Sequence, residues 1–369
     1  MSRAARVSHW RGGRGYRFGG GRGAWSSLRR SGCHGVTASR QLFDRRGYYS
    51  VKVPEPRGPI AESFAERIRK LEESWLSPTA VRSYATGGRL RPEDECGVRT
   101  PFQRDCDRIV HSKPFRRLKQ KTQVFIDPAG DHYRTRITHT LETTRIARTV
   151  ARALRLNEDL TEAIGLGHDL GHPPFGHAGE AELDRCVQEA FGTRFRHNEQ
   201  SARIAERLNL TAEVRDGILT HTGEAEPQSL EGRIVRIVDR VAYLNHDIDD
   251  AIRFGILGPE DLPQADVELL GPTGAKRIDT LVHDLVETSE RAGDIVQSAE
   301  IGRAMLSLRA FMFDSVYLGP HAVGEHERAH TAIRAIFAHL VARGDAEDEI
   351  IEFVAGMTDR FALAYAERL

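Results

Sequence analysis

Apolar residues recur at three- and four-residue spacing along most of the chain, which is the pattern of helices that pack against a core. In the first such segment, residues 61–76, Phe64, Ile68 and Leu71 lie on one face. Residues 83–101 are rich in Gly, Pro and charge, and are predicted to form a loop. The same spacing predicts a helix that starts near Thr138 and others over residues 160–170, from about 178, 198–208, 230–250, 278–296, 301–316, 326–343 and 350–368.

No convincing alternation of apolar and polar residues, the pattern of a strand, accompanies these segments. We therefore predict an all-α protein, a helical bundle with additional C-terminal helices. A chain of 369 residues with 40% apolar and 29% charged residues can bury a large core as one or two domains. No apolar run approaches the ~20 residues that cross a bilayer, so we predict no membrane association.

The formal net charge of zero hides an asymmetry between the N-terminus and the rest of the chain. Residues 1–50 hold eleven Arg, no Lys and one acidic residue, Asp44, which gives this segment a net charge of +10. Residues 1–55 are predicted to be a disordered Arg/Gly-rich segment. Nucleic-acid binding, organelle targeting and an extension without a role all remain open for it.

Four cysteines are scattered along the chain without a CxxC pair, so neither a disulfide framework nor a zinc knuckle is predicted. A reducing, cytoplasmic location is the simplest expectation. Residues 102–125 carry many basic side chains, which predict either a solvated basic face or an anion site. These side chains are Arg104, Arg108, Lys113, Arg116, Arg117, Lys119 and Lys121.

The densest chemistry lies in residues 167–180, GHDLGHPPFGHAGE, with three His, one Asp and one Glu. An apolar helix leads into this motif and is predicted to present His168 and Asp169 near its end. The two prolines forbid a smooth continuation of that helix. We therefore expect a tight loop that carries His172 and His177, then a new helix near residue 178 with Glu180 in its first turn.

His139, His168, Asp169 and Asp239 are candidate ligands of one divalent cation. Two imidazoles and two carboxylates suit Mn²⁺, Fe²⁺, Co²⁺, Ni²⁺, Zn²⁺ or Mg²⁺, and such a site leaves positions open for substrate. Taken singly, His139 or Asp239 would more often be a capping or surface residue. The metal prediction depends on the four residues being considered together.

The pattern H…HD…D, extended by HDLGHPPFGHAGE at 168–180, resembles the HD-domain superfamily of metal-dependent phosphohydrolases. Residues 99–125, 134–142 (RTRITHTLE) and 237–251 (IVDRVAYLNHDIDDA) resemble one branch, the dGTPase-like deoxynucleotide triphosphohydrolases. The resemblance implies an HD core over residues 56–260 and an associated helical region over 261–369. It also implies hydrolysis of a dNTP between the 5′ oxygen and the α-phosphorus, which releases deoxynucleoside and tripolyphosphate.

The resemblance implies a role for each site residue, with Mn²⁺ or Mg²⁺ as the expected cation. The implied residues are, for the metal, His139, His168, Asp169 and Asp239; for catalysis, His177, tuned by Glu180; for the phosphates, Arg136, His172, His197 and Arg240; and for the sugar, Gln123, Asp247 and Tyr243. His177 could protonate the leaving oxygen or orient the attacking water, and the sequence leaves both roles open.

Two other classes of function compete with this interpretation. One is a different HD phosphohydrolase, acting on a nucleoside monophosphate, a guanosine polyphosphate alarmone or a cyclic dinucleotide. The other is a nucleic-acid-binding or regulatory protein with a degenerate HD fold. Relatives of the resembled branch form tetramers or hexamers, and some bind single-stranded DNA, so a homo-oligomer is expected and single-stranded DNA is a further candidate partner.

Overall fold

The computed structural model describes residues 62–123 and 134–369, which contain α-helices and no strand. The predicted all-α class is therefore confirmed for the described residues. The prediction for residues 1–55 lies outside them, as does most of a polar loop that the sequence predicts over residues 127–136. The first eight helices are α1 (Phe64–Trp75), α2 (Pro101–His111), α3 (Lys113–Arg117), α4 (Arg136–Ala153), α5 (Glu158–Gly167), α6 (Gly176–Phe191), α7 (His197–Arg207) and α8 (Ala212–Thr220).

Seven further helices complete the described chain. They are α9 (Leu230–Arg253), α10 (Gln264–Leu270), α11 (Gly274–Ala292), α12 (Ala299–Met312), α13 (Pro320–Arg343), α14 (Glu347–Ala355) and α15 (Asp359–Ala366). A π-helical turn at Phe313–Tyr317 follows α12. No helix in the described ranges is both long enough and apolar enough to cross a membrane.

Local sequence signals fix several helix starts. Ser63 and Glu66 form a capping box at the start of α1, in which each side chain accepts a hydrogen bond from the other's backbone N–H. Thr100 and Gln103 do the same for α2, whose first residue is Pro101. These caps satisfy backbone donors that the first turn of a helix leaves free.

The predicted helix boundaries differ from the observed ones at several points. Helices α2, α3, α8 and α10 were not predicted, because α2 and α3 are short and highly charged and α8 and α10 have only nine and seven residues. The single helix predicted over 350–368 was wrong, because Thr358 caps a separate helix by accepting a hydrogen bond from the Phe361 N–H. The helix expected near residue 178 begins at Gly176, so His177 lies in its first turn rather than in the loop.

Three apolar clusters hold the helices together. The first is formed mainly by α2, α4, α5 and α8, the second by α6 with α13, α14 and α15, and the third by α9 with α10, α11 and α12. Helices α4, α5 and α9 contact one another. The segments that carry the predicted metal ligands therefore meet at the junction of these three helices.

Candidate active site

Four side chains from three separate segments converge at this junction. His139 lies on α4, His168 and Asp169 directly follow α5, and Asp239 lies midway along α9. The Nε2 atom of His139 is 3.0 Å from Oδ1 of Asp239. The Nε2 atom of His168 is 3.6 Å from that same oxygen and 3.6 Å from Oδ2 of Asp169. The structure therefore brings together all four predicted metal ligands.

The hydrogen bonding of His168 fits a role as a metal ligand. Its Nδ1 atom lies 2.7 Å from the Gly165 carbonyl oxygen, which can only accept, so Nδ1 carries the proton and Nε2 a lone pair. Among the described residues, this buried Nε2 atom has no hydrogen-bond partner. One donor atom each from His139, His168 and Asp169 lies within 4.8 Å of the others. This donor set could hold a divalent cation, the class of ion that such imidazole and carboxylate sites bind.

Arg136 pairs with the Asp169 carboxylate inside the protein. The Nη1 atom of Arg136 is 2.6 Å from Oδ2 of Asp169, and the two residues are only 2% and 4% exposed. Burial raises the pKa of Asp169, but the charges of Arg136 and the neighbouring histidines outweigh it and hold that pKa well below its usual range. The Nε and Nη2 atoms of Arg136 are buried and have no partner among the described residues. They are donors that an anionic ligand could use.

Six histidine rings form a continuous series from the buried ligand cluster to the surface. Successive ring centroids are 4.9 to 5.6 Å apart in the order His139, His168, His221, His197, His172 and His177. Five of these rings are nearly buried, whereas the side chain of His177 is 70% exposed. The series can present hydrogen-bond donors and positive charge along a path of several ångströms.

Glu180 anchors this series by contacts with three histidines, the most distant being His172, whose Nε2 atom lies 3.8 Å from Oε2 of Glu180. Its Oε1 atom is 2.7 Å from Nδ1 of His197 and also accepts the His197 backbone N–H at 2.9 Å. Its Oε2 atom is 3.5 Å from Nδ1 of His177. The sequence-based interpretation paired Glu180 with His177 alone, whereas the closer contact is with His197, because the start of α7 packs beside the first turn of α6.

The protonation of the buried histidines follows from these contacts. Burial alone would lower the pKa of His197, but the Glu180 carboxylate outweighs it and the pKa is raised. Burial and, to a smaller extent, the neighbouring His168 and His197 together lower the pKa of His221 to about 3. Burial, Arg136 and His197 together hold the pKa of His172 well below its usual range. Around neutral pH, His172 and His221 are therefore neutral, whereas the Glu180 carboxylate favours the protonated form of His197.

Helix α9 presents three predicted site residues on one face, because Asp239, Tyr243 and Asp247 are four residues apart. The Tyr243 hydroxyl accepts a hydrogen bond from Nε of Arg309 at 2.7 Å. Asp247 accepts a hydrogen bond from the Tyr317 hydroxyl, and burial raises the pKa of Asp247 to about 7. This face therefore carries one of the four predicted metal ligands, an aromatic ring and a second carboxyl group.

The remaining predicted residues lie at the edges of the site. The Gln123 Oε1 atom is buried and has no partner in the described chain, and the Gln123 carbonyl packs against Gly176 at the start of α6. Arg240 is partly buried and follows Asp239 on α9. Within the described ranges, no ion pair or hydrogen bond engages Arg240, which leaves its guanidinium available to a ligand.

The backbone of the loop between α5 and α6 is tightly folded, with one left-handed residue and two glycines that lie against neighbouring backbone atoms. Phe175 adopts a left-handed conformation, with φ of 66°, and its N–H donates to Oδ1 of Asp359 at 3.0 Å. A Cβ atom on Gly179 would overlap the Pro174 carbonyl oxygen. A Cβ atom on Gly171 would overlap the backbone of α7. Small residues therefore let the motif fold tightly against α7, which places the loop histidines beside His197.

Lys121 holds the same loop in place by a hydrogen bond to its backbone. Its Nζ atom donates to the His172 carbonyl at 2.6 Å and to the Ala355 carbonyl at 2.8 Å, and the residue is 2% exposed. Burial lowers the pKa of Lys121 to about 7, and the charge of Arg136 acts in the same direction. Lys121 therefore links the histidine loop to the end of α14.

This burial predicts a pH-dependent contribution to stability. Between the folded pKa of about 7 and the unfolded value near ~10.4, the unfolded chain binds more protons at Lys121 than the folded chain does. Burial of the charged Lys121 therefore destabilises the fold by its full amount below pH ~7, and this destabilisation decreases as the pH rises toward ~10. We expect the contribution of Lys121 to the free energy of unfolding to grow by about 1.4 kcal/mol per pH unit in this window.

Denaturant unfolding of the wild type and of Lys121→Met at pH 7, 8 and 9 measures this contribution. The difference in the free energy of unfolding between the wild type and Lys121→Met should change by about 1.4 kcal/mol per pH unit. The exposed neighbour Lys119, changed to Met, is the matched control and should give a difference that does not vary with pH. A pH-independent difference for Lys121→Met would contradict the prediction.

Four residues of the site were missed by sequence reasoning. They are His221, His246, Arg309 and Tyr317. Lys121 was predicted to belong to a basic face or an anion site, but it is buried and donates to two backbone carbonyls. His221 directly follows α8, a helix that was not predicted, and a polar His after the apolar pair 218–219 was its only signal. The others sit at positions whose partners are far along the chain, so their roles depend on packing.

Comparisons with known proteins show which family the chain resembles. The family model described as "HD domain" matches residues 136–244, and the one described as "Phosphohydrolase-associated domain" matches residues 295–368. The chain is similar to a "Deoxyguanosinetriphosphate triphosphohydrolase-like protein" of Caldanaerobacter subterraneus subsp. tengcongensis, with 50% identity over 319 residues, which cover 81% of this chain and 93% of that relative. A relative of the same name from Desulfatibacillum aliphaticivorans is 43% identical over 344 residues, which cover 82% and 97% of the two chains.

Proposed function

Since the chain belongs to the HD-domain phosphohydrolases, and among them to the deoxyguanosinetriphosphate triphosphohydrolase-like proteins, we propose that it hydrolyses a dNTP. The products are the deoxynucleoside and inorganic tripolyphosphate. The main support for this proposal is the series of histidine rings, which extends from the four predicted metal ligands to the exposed His177. The unpartnered donors of Arg136 lie in the same site. A chain of three phosphates is an anion, which the free donors of Arg136 and the imidazole N–H groups can bind through charge-assisted hydrogen bonds.

Arg136 and His172 hold the phosphates in this proposal. The Nε and Nη2 atoms of Arg136 bind phosphate oxygens while Nη1 stays paired with Asp169. The buried Nε2 atom of His172 has no hydrogen-bond partner in the described chain and lies 3.8 Å from Oε2 of Glu180. Arg240 adds a further positive charge from α9. When bound, the divalent cation at the four-residue cluster supplies electrostatic stabilisation of the charge on the phosphates.

His177 acts at the leaving 5′ oxygen. Its exposed ring lies in the first turn of α6, and its Nδ1 contact with Glu180 orients it. In the proposed role, His177 either gives a proton to the leaving oxygen or orients the attacking water. Both roles need the imidazole at the end of the phosphate chain, which is where the histidine series reaches the surface.

The α9 face and Gln123 select the sugar. Gln123 and Asp247 hold the 3′-hydroxyl, and Tyr243 packs under the ring so that a 2′-hydroxyl would be crowded. The hydrogen bonds from Arg309 to Tyr243 and from Tyr317 to Asp247 support this role, because they fix both side chains in one orientation. We therefore expect deoxyribonucleotides to be preferred over ribonucleotides.

Product analysis tests the proposal. Each of the four dNTPs is incubated with the protein and Mn²⁺ or Mg²⁺, and the phosphorus products are identified by ³¹P NMR. We expect one tripolyphosphate per deoxynucleoside and a lower rate with the matching NTP. Release of orthophosphate or pyrophosphate in place of tripolyphosphate would contradict the proposal and favour another type of HD phosphohydrolase.

Part of the predicted basic surface is neutralised within the protein. Arg104 pairs with Glu93 at 2.8 Å, and Arg108 also pairs with Glu93. Fewer positive charges are therefore free to bind a nucleic-acid backbone than the sequence suggests. Single-stranded DNA binding and assembly into a homo-oligomer stay predictions, as does the cytoplasmic location.

A further inference from the structure

We propose that Asp359, near the C-terminus, is a positioning residue for dNTP hydrolysis, so this inference rests on the proposed function. Asp359 begins α15 and is 8% exposed. Its Oδ1 atom accepts the Phe175 N–H at 3.0 Å, and its Oδ2 atom accepts the Thr122 N–H at 2.8 Å. One carboxylate therefore holds two separate backbone segments, and each of them carries a residue of the proposed site.

The first segment is the loop that leads into α6. Phe175 directly precedes this helix, and its apolar ring offers no acceptor that caps a backbone N–H. The hydrogen bond to Asp359 therefore fixes the backbone at the point where the helix begins. His177 lies in the first turn of that helix, so the same bond sets the position of the imidazole that acts at the leaving oxygen.

The second segment carries Gln123, the residue proposed to hold the sugar 3′-hydroxyl. Thr122 directly precedes it and pairs with Thr135 in an isolated antiparallel bridge. The Arg136 N–H donates to the Lys121 carbonyl at 3.0 Å. This short segment therefore lies between the start of α4, which carries a phosphate-binding residue, and the carboxylate on α15.

The two segments are also connected to each other. A Cβ atom on Gly176 would lie 2.8 Å from the Gln123 carbonyl oxygen, so their backbones are in close contact. Lys121 adds a second link, because its Nζ atom donates to the carbonyls of His172 and of Ala355, the last residue of α14. A displacement of α14 or α15 would therefore be transmitted to the histidine loop and to the sugar-binding segment.

A favourable interaction with its own helix does not account for Asp359. Acidic residues are common in the first turn of a helix because they interact favourably with the helix dipole. Thr358 already caps α15 by accepting the Phe361 N–H, whereas both oxygens of Asp359 accept N–H groups from other parts of the chain. Hydrogen bonds to a carboxylate are about twice as strong as those between neutral groups, so the charge orders both segments.

Asp359→Asn tests this role, because it keeps the size of the side chain but replaces one acceptor with an NH₂ group. That group cannot accept the backbone N–H that faces it. We expect kcat for dNTP hydrolysis to fall about tenfold to a hundredfold, since small displacements of catalytic groups lower rates by this much. Bound Mn²⁺ should not change, because neither hydrogen bond of Asp359 reaches a predicted metal ligand.

Asp284→Asn is the matched control. Oδ2 of Asp284 accepts the N–H of Ser298, the residue that directly precedes α12, at 2.9 Å. The control therefore weakens the same kind of bond at the start of a helix whose first turns carry no predicted site residue. It should retain the wild-type kcat.

Discrimination at the sugar distinguishes positioning from a loss of folded protein. Each protein is assayed with a dNTP and with its 2′,3′-dideoxy analogue, which lacks the hydroxyl that Gln123 is proposed to hold. A partly unfolded sample loses both rates in proportion, so the ratio of the two kcat/KM values stays constant. Displacement of Gln123 weakens a hydrogen bond to the dNTP alone, so we expect Asp359→Asn to lower this ratio about twofold to tenfold.

Amide hydrogen exchange with mass spectrometry tests the two hydrogen bonds without substrate. In the wild type, peptides that contain residues 122 and 175 should exchange slowly, and their exchange should be faster in Asp359→Asn but not in Asp284→Asn. Fast exchange of these peptides in the wild type would overturn the inference even if the variant fails to fold.

Unchanged exchange in Asp359→Asn, or a ratio equal to that of the wild type with or without a lower kcat, would also overturn the inference. In either case tripolyphosphate release by the wild type would leave the proposed function intact. A wild type that shows the expected exchange but releases no tripolyphosphate from any dNTP would instead refute the proposed function.

Discussion

Asp169→Asn is expected to lower kcat for dNTP hydrolysis by at least about a thousandfold while the protein stays folded. The substitution removes the carboxylate charge that faces both the predicted cation position and Arg136. Loss of a metal-bound charge costs several kcal/mol of transition-state stabilisation, and each ~1.4 kcal/mol is a factor of ten in rate. Bound Mn²⁺ should fall in parallel with kcat.

Asp169→Ala separates the chemical role of this residue from its structural role. Both changes remove the charge that pairs with the Arg136 guanidinium, which is 2% exposed, but the amide oxygen of Asn can still accept its hydrogen bond and Ala cannot. A buried charge left without any partner costs about 3–5 kcal/mol, so Asp169→Ala should be markedly less stable than Asp169→Asn. Asp279→Asn, an exposed change on α11, is the control for both assays.

The assays are denaturant unfolding, bound Mn²⁺ and the rate of tripolyphosphate release. A rate in Asp169→Asn equal to that of the wild type would mean a contaminating activity or a different site. Equal stability of the two Asp169 variants would show that Arg136 finds another partner, which would refute the ion-pair argument.

His177→Ala is expected to lower kcat by about 10²–10⁴-fold, the usual contribution of a positioned general acid or base. Bound metal and the free energy of unfolding should not change, because the side chain is 70% exposed and lies beyond the cation cluster. His283→Ala, at nearly the same exposure, is the matched control and should retain wild-type kcat. A wild-type rate in His177→Ala would remove this residue from the mechanism.

A substrate with an activated leaving group distinguishes the two roles left open for His177. In a 4-nitrophenyl ester of tripolyphosphate the leaving oxygen needs no proton. If His177 is the general acid, the deficit of His177→Ala should shrink strongly with this ester. If His177 orients the attacking water, the deficit should stay the same. The ratio of variant to wild-type rates on the two substrates is the measurement.

The sequence by itself determined the fold class and the types of residue in the site. Helical periodicity is a local signal, so most of the helices follow from residues a few positions apart. The capping box at Thr100 is also local, but it was not recognised and α2 was not predicted. The motif at 167–180 concentrated ligand-type side chains in one loop, and its prolines excluded a continuous helix. The resemblance carried by these residues indicated the family, which the comparisons confirm.

Only the tertiary structure decided which of these residues meet. His139 and Asp239 are 100 positions apart, and they touch because α4 and α9 pack together. Glu180 binds His197 more closely than its neighbour His177, and His221 joins the histidine series through a helix too short to be predicted. Such contacts depend on how the helices pack, and helix packing depends on many weak apolar contacts along the whole chain. Local spacing therefore determines which reactive side chains are present, but not which of them contact one another.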